Sequence, residues 1–134
     1  MNETMTRSVT VEREFAHPPE KLWRALTQPE LIQEWLMKND FVPNVDHAFT
    51  LQGDWGSVAC RVLEVDPPRT LAYTWDAMGL ASTVTWTLTP TARGTHLRME
   101  QEGFRLEQEQ AYQGARYGWQ KFFGSLETVL ARAG

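Results

Sequence analysis

The chain has 134 residues and a mass of 15.4 kDa, which fits a single domain with one core over residues 1–134. Its 13 Lys and Arg against 17 Asp and Glu give a net charge of −4. This balance argues against a nucleic-acid-binding protein, because such a domain carries a clustered basic face.

The first predicted elements are a strand and two short helices. Residues 7–15 alternate apolar and polar side chains, which is the period of a half-buried strand. Pro19 suits the first turn of a helix, and Pro29 ends that helix and starts a second one, which carries Trp35 on its apolar face. Neither helix is long enough to be stable alone, so we expect both to dock on the rest of the molecule.

Turn residues divide the middle of the chain into short strand candidates. They are Asp40–Val42, His47–Gln52, Ser57–Val65, Thr70–Asp76, Ala81–Thr89 and Thr95–Glu102. Together with the first strand they predict an antiparallel sheet of six to seven strands. Both faces of the Ser57–Val65 strand are largely apolar, so the sequence does not tell which one faces the core.

After Gly103 the apolar spacing changes to three and four, which predicts one long helix from about Leu106 to Ala133. This helix contains three glycines, each of which costs about 1 kcal/mol relative to alanine: Gly114, Gly118 and Gly124. They indicate either a close approach to the sheet or room for a ligand. The element order predicts an α+β architecture in which the helix covers one face of the sheet.

Four stretches of the chain carry a resemblance to a known family. They are residues 22–30 with Trp35, residues 62–71 with Thr74-Trp75, residues 82–88 with Gly94-Thr95, and Gly118-Trp119 followed by Leu126 and Leu130. The set resembles the SRPBCC or START-like superfamily, in the branch related to the C-terminal domain of activators of the heat-shock chaperone ATPase. The Gly-Gly pair that members often carry near the third strand is replaced here by Val45-Asp46-His47-Ala48.

The resemblance implies a helix-grip fold, in which a curved antiparallel sheet wraps the long C-terminal helix. It also implies a cavity between sheet and helix, where relatives bind lipids, sterols, polyketides or plant hormones. Some relatives are cyclases or other enzymes, and some are co-chaperones. A shared fold does not fix one of these functions for this chain.

Catalytic and metal-binding patterns find little support. The chain has no nucleophile elbow and no glycine-rich phosphate loop. Cys60 lies in the middle of a strand, as a buried structural cysteine would, and the three histidines supply no converging set of ligands. Glu64 stays open as an acid or base, since it could point into a dry pocket. We predict no catalytic residue, no metal and no cofactor.

Aromatic side chains carry the binding hypothesis. The candidate ligand-binding residues are Trp35, Phe49, Trp75, Trp86, Met99, Tyr112, Arg116 and Trp119. They predict a pocket between sheet and helix that opens toward the segment holding Trp35 and Phe49, although ordinary core packing explains any single one of them. Arg116 shares the helix stripe with Trp119, so it either reaches the helix edge, meets an acid or anchors a ligand's anionic end.

The function expected is therefore non-catalytic binding of a small apolar or weakly acidic molecule. A cyclase- or hydrolase-like enzyme and a chaperone-associated interaction domain stay open as alternatives; the latter would normally need a second, N-terminal domain. A homodimer also stays open, and nucleic acid is not expected as a partner. The apolar runs fall far short of the roughly 20 residues that span a bilayer, and no secretory signal is seen, so we expect a cytoplasmic protein.

Overall fold

The computed structural model describes residues 6–132. Its elements are β1 (Thr6–Phe15), α1 (Pro19–Thr27), α2 (Pro29–Trp35), β2 (Lys38–Asn39), β3 (Ala48–Gly53), β4 (Gly56–Asp66), β5 (Thr70–Ala77), β6 (Leu80–Pro90), β7 (Thr95–Arg105) and α3 (Glu109–Arg132). The strands form one antiparallel sheet in the order β1-β7-β6-β5-β4-β3-β2. The predicted α+β, helix-grip fold is confirmed.

The core lies between the inner face of the sheet and the three helices. Helix α3 buries one apolar stripe against it, formed by Trp119, Phe123, Leu126, Val129 and Leu130. The short helices α1 and α2 dock beside this stripe, as their length requires, and Trp35 of α2 contacts the ring of Trp86 at a centroid distance of 5.6 Å. One continuous core therefore joins all layers.

Several predicted boundaries differ from the structure. Helix α3 begins at Glu109 rather than near Leu106, because β7 continues to Arg105 and Leu106 lies in an exposed turn. The predicted strand Asp40–Val42 is also wrong. The pairing with β3 involves Lys38 and Asn39 instead, and Phe41 packs into the core at 4.9 Å from the ring of Phe49. The predicted helix end at Ala133 lies outside the described residues.

The structure decides which face of β4 is internal. Val58, Cys60 and Val62 are buried, whereas the residues between them are exposed. The pairing with β5 is irregular between Val62 and Glu64, so the alternation ends there and Glu64 is exposed rather than inward. The suggested role of Glu64 as an acid or base in a dry pocket is therefore wrong.

Candidate functional site

A cavity of about 390 Å³ lies between the first half of α3 and the sheet. Its lining consists of Met37, Trp55, Trp75, Ala77, Met78, Leu80, Gln101, Ala111, Gly114, Ala115, Gly118, Trp119 and Phe122. We call it the α3 cavity. Its volume lies within the range of about 300–1,000 Å³ that is typical of small-molecule sites. None of the lining side chains is titratable, so the α3 cavity is uncharged, and most of its lining is apolar.

Small residues on α3 create this space. Ala111, Gly114, Ala115 and Gly118 follow the spacing of one helix face. A Cβ atom added at Gly114 or Gly118 would meet no heavy atom of another part of the chain within 4 Å. A close approach to the sheet therefore does not explain Gly114 and Gly118. The structure shows open space beside the helix at both positions.

A chain of hydrogen bonds forms the polar part of the wall. The indole Nε1 of Trp119 donates to Oε1 of Gln101 at 2.7 Å, and Nε2 of Gln101 donates to Oγ of Ser82 at 2.9 Å. The Ser82 hydroxyl in turn donates to the backbone oxygen of Trp75 at 2.7 Å. An indole N–H can only donate, so the orientation of the Gln101 amide follows from its neighbours.

Gln101 was not among the predicted site residues, although the sequence carries a signal for it. It continues the inward positions of β7 after Leu97 and Met99, and it is only 2 % exposed. A polar side chain at an inward strand position must be hydrogen-bonded or bound by a ligand, because burial without a partner costs free energy. This rule would have singled out Gln101 from the alternation alone.

Two exposed apolar residues stand at the mouth of the α3 cavity. Met78 is 88 % exposed and Trp55 is 53 % exposed. Met78 and Gly79 form the two-residue turn between β5 and β6, with φ angles of 52° and 84°. The side chain of Gln108 donates to the backbone oxygen of Gly79 at 3.2 Å, so the turn is tied to the segment before α3.

Of the eight predicted ligand-binding residues, Trp75 and Trp119 line the α3 cavity, with ring centroids 5.2 Å apart. Four others are core residues: Trp35, Phe49, Trp86 and Met99. The indole nitrogen of Trp35 donates to the backbone oxygen of Ala25, and that of Trp86 donates to the Tyr73 hydroxyl. Trp35 and Phe49 themselves are buried and do not line the α3 cavity, whereas Met37, which lies in the segment between them, does.

Arg116 and Tyr112 lie on the other flank of α3. They border a depression of about 630 Å³ between α3 and residues 8–11 of β1. The Arg116 side chain is exposed and contacts Oε1 of Gln113 at 3.4 Å. At 3.6 residues per turn, Ala115 and Gly118 fall on one side of Trp119 and Arg116 on the other. The predicted placement of Arg116 as the polar anchor of the cavity is therefore wrong.

A family model described as activator of Hsp90 ATPase homolog 1-like protein matches residues 16–131. The chain belongs to this family. The predicted resemblance is confirmed, and the helix-grip fold of the structure agrees with it. No curated protein matches the chain.

Solved structures with the fold of this chain include relatives of high and of moderate sequence identity. The protein MLL2253 from Mesorhizobium loti is 58% identical, with a TM-score of 0.93 over 96% of this chain and 99% of that one. BH1534 from Bacillus halodurans is 27% identical, with a TM-score of 0.82 over 92% and 96%. DynU16, from the dynemicin biosynthetic locus, is 23% identical, with a TM-score of 0.85 over 94% and 48%, and shows the fold alone.

Among residues 6–132, no titratable side chain lines the α3 cavity of this family member. Burial raises the pKa of the Cys60 thiol to about 12, with Asp76 and Asp40 adding to the shift. His96 lies 2.7 Å from a carboxylate oxygen of Glu12 on the outer side of the sheet. Within residues 6–132, no three His, Cys, Asp or Glu side chains come close enough together to hold a metal ion.

None of the helices within residues 6–132 combines the length and apolar composition required for a bilayer crossing.

Proposed function

We propose that this chain binds a small, mostly apolar molecule in the α3 cavity and does not act on it chemically. The observation that carries the proposal is the open space beside Gly114 and Gly118, next to the rings of Trp75 and Trp119. Helix glycines cost stability, and here they leave an apolar volume that a ligand can fill. Transfer of apolar surface from water into such a volume is favourable by about 25 cal/mol per Å².

The lining supports binding rather than catalysis. General acid–base chemistry needs a titratable side chain within hydrogen-bond reach of the substrate, and nucleophilic catalysis needs an activated hydroxyl, thiol or amine. The lining residues offer one neutral amide, that of Gln101, and indole N–H groups. We therefore propose that the chain is one of the ligand-binding members that the superfamily resemblance implies.

The test uses two glycines of α3 that differ only in their position. Gly118 lines the α3 cavity, whereas Gly124 lies outside its lining, and a Cβ added at either one meets open space. Replacing either by leucine improves helix propensity by a similar amount, about 1 kcal/mol. The probe is diphenylmethane, an uncharged hydrocarbon, titrated while the Trp119 indole resonance is followed by NMR.

We expect Gly118→Leu to weaken diphenylmethane binding at least about tenfold, because the leucine side chain occupies apolar volume that the probe needs. Gly124→Leu should bind like the unaltered protein. Equal binding by the two variants would place the probe elsewhere, and a failure of the unaltered protein to bind any apolar probe would contradict the proposal.

A further inference from the structure

Resting on the proposed function, we infer that the ligand of the α3 cavity is uncharged and presents a hydrogen-bond acceptor, such as a carbonyl oxygen, to the side-chain amide of Gln101. Two observations lead to this chemistry. One is the hydrogen-bonding state of the Gln101 amide, and the other is the charge of the cavity wall.

The Gln101 amide has one hydrogen to spare. Its Nε2 carries two N–H groups, and one of them donates to Oγ of Ser82. Within the described part of the chain, no acceptor takes the second N–H. Gln101 is 2 % exposed and lines the α3 cavity, so a ligand acceptor in that cavity would complete its hydrogen bonding.

The orientation of the Gln101 amide is fixed by its neighbours. Trp119 donates its indole N–H to Oε1 of Gln101, and a flipped amide would face that donor with another donor. The Ser82 hydroxyl donates its hydrogen to the backbone oxygen of Trp75, so toward Gln101 its oxygen acts as an acceptor and requires the amide nitrogen on that side. The site therefore offers a donor of fixed orientation, which selects a ligand with an acceptor over one of the same shape without it.

The wall of the α3 cavity disfavours an ionised ligand. No lining side chain carries a charge, and Arg116 lies on the opposite flank of α3. A carboxylate entering this cavity would lose hydration with no cation to compensate for it. We expected a weakly acidic ligand because Arg116 would anchor it. Since Arg116 does not line the α3 cavity, we now expect a neutral ligand.

The test compares three probes of similar shape on the full chain: benzophenone, diphenylmethane and diphenylacetate. Benzophenone adds a carbonyl to the diphenylmethane skeleton, and diphenylacetate adds a carboxylate. We expect benzophenone to bind about three- to tenfold more tightly than diphenylmethane, the usual effect of one neutral hydrogen bond. Diphenylacetate should bind at least about tenfold more weakly than benzophenone. One Gln101 side-chain amide proton should move downfield with benzophenone only.

The variant Gln101→Met removes the donor and keeps the length of the side chain. It should lose the preference for the carbonyl, so that benzophenone binds no more tightly than diphenylmethane. If this variant fails to fold because Trp119 loses its acceptor, the amide proton shift in the unaltered protein decides. Equal affinities for the two probes in the unaltered protein would overturn the inference and leave the proposed function standing. Absence of binding by all three probes would overturn the proposed function itself.

Discussion

Met78 has a backbone conformation that its residue type disfavours. Its φ of 52° lies in the left-handed region, at the first central position of the two-residue β5–β6 turn. Asn, Asp and Gly are the usual residues there, because a larger side chain in this conformation costs roughly 1–2 kcal/mol. The methionine is 88 % exposed and stands at the mouth of the α3 cavity. Strain at such a place suggests a role in binding.

Replacing Met78 with asparagine should therefore stabilise the protein and weaken binding. We expect Met78→Asn to raise the free energy of unfolding by about 0.5–1 kcal/mol and the Tm by about 2–4 °C. Diphenylmethane should bind severalfold more weakly, because an apolar contact at the mouth is lost. Thermal melts and the probe titration check both effects. Met78→Leu is the matched control, which keeps the strain and the apolar contact; a loss of binding in Met78→Leu equal to that in Met78→Asn would contradict the role.

Cys60 has a side chain that is reactive in many proteins, but here it is buried in the core and has a structural role. Its side chain is buried on the inner face of β4, and its Sγ contacts the backbone oxygen of Val58 at 3.9 Å. Since only the thiolate is a good nucleophile, a pKa raised to about 12 keeps this thiol unreactive in the folded protein.

The raised pKa of Cys60 predicts a pH dependence of stability. Folding favours the protonated thiol, so this contribution is complete below the ordinary pKa of 9.0 and is lost as the pH rises toward about 12. Urea unfolding should show that Cys60→Ala loses less stability than the unaltered protein over this range. At neutral pH the variant should be destabilised by about 1 kcal/mol. A thiol that iodoacetamide alkylates quickly in the folded protein at neutral pH would contradict the assignment.

At the scale of elements, α3 is held by its apolar stripe rather than by its ion pairs. Arg7 and Arg13 of β1 reach Glu109 and Glu127 of α3 at 2.7 and 3.1 Å. The glutamates of these pairs are exposed, and exposed pairs contribute at most about 1 kcal/mol each. The stripe is buried against the sheet and the short helices, where each large side chain contributes about 1.5–3 kcal/mol.

Substitutions at two adjacent residues of α3 compare the contribution of the apolar stripe with that of an ion pair. Leu126 is fully buried, and we expect Leu126→Ala to lower the free energy of unfolding by about 2–5 kcal/mol, because it removes core contacts and leaves a void. Glu127→Ala breaks the pair with Arg13 and should cost less than about 1 kcal/mol. Urea unfolding of both variants provides the comparison. Similar losses of stability in the two variants would contradict the larger contribution of the apolar stripe.

At the scale of the whole molecule, the α3 cavity forms where parts distant in sequence meet. Trp55 comes from the β3–β4 turn, Met78 from the β5–β6 turn, Gln101 from β7 and Gly118 from α3. The aromatic core behind the cavity is continuous, since the Trp119 ring contacts both Trp75 and Trp86. The inner wall of the α3 cavity, with Trp75 and Trp119, is therefore part of the packed core.

The periodicity of the sequence determined the elements and their layers. The alternation in residues 7–15 and 81–89 predicted β1 and β6, and the change of spacing after Gly103 predicted α3, because period is a local property of the chain. The two helix starts at Pro19 and Pro29 followed from the fixed φ of proline. Together with the family motifs, these patterns were enough for the fold.

Only the tertiary structure decided which residues surround the α3 cavity. Periodicity assigned Arg116 and Trp119 to one broad stripe, but in the structure Trp119 is buried and lines the α3 cavity, whereas Arg116 borders the depression on the opposite flank of α3. Periodicity also predicted correctly that Trp86 and Met99 point inward, but it did not tell whether they line a cavity or pack against other side chains. In the structure both are packed in the core. A local pattern defines the faces of an element. The neighbour that each face meets depends on how the elements pack, which residues far apart in the sequence determine together.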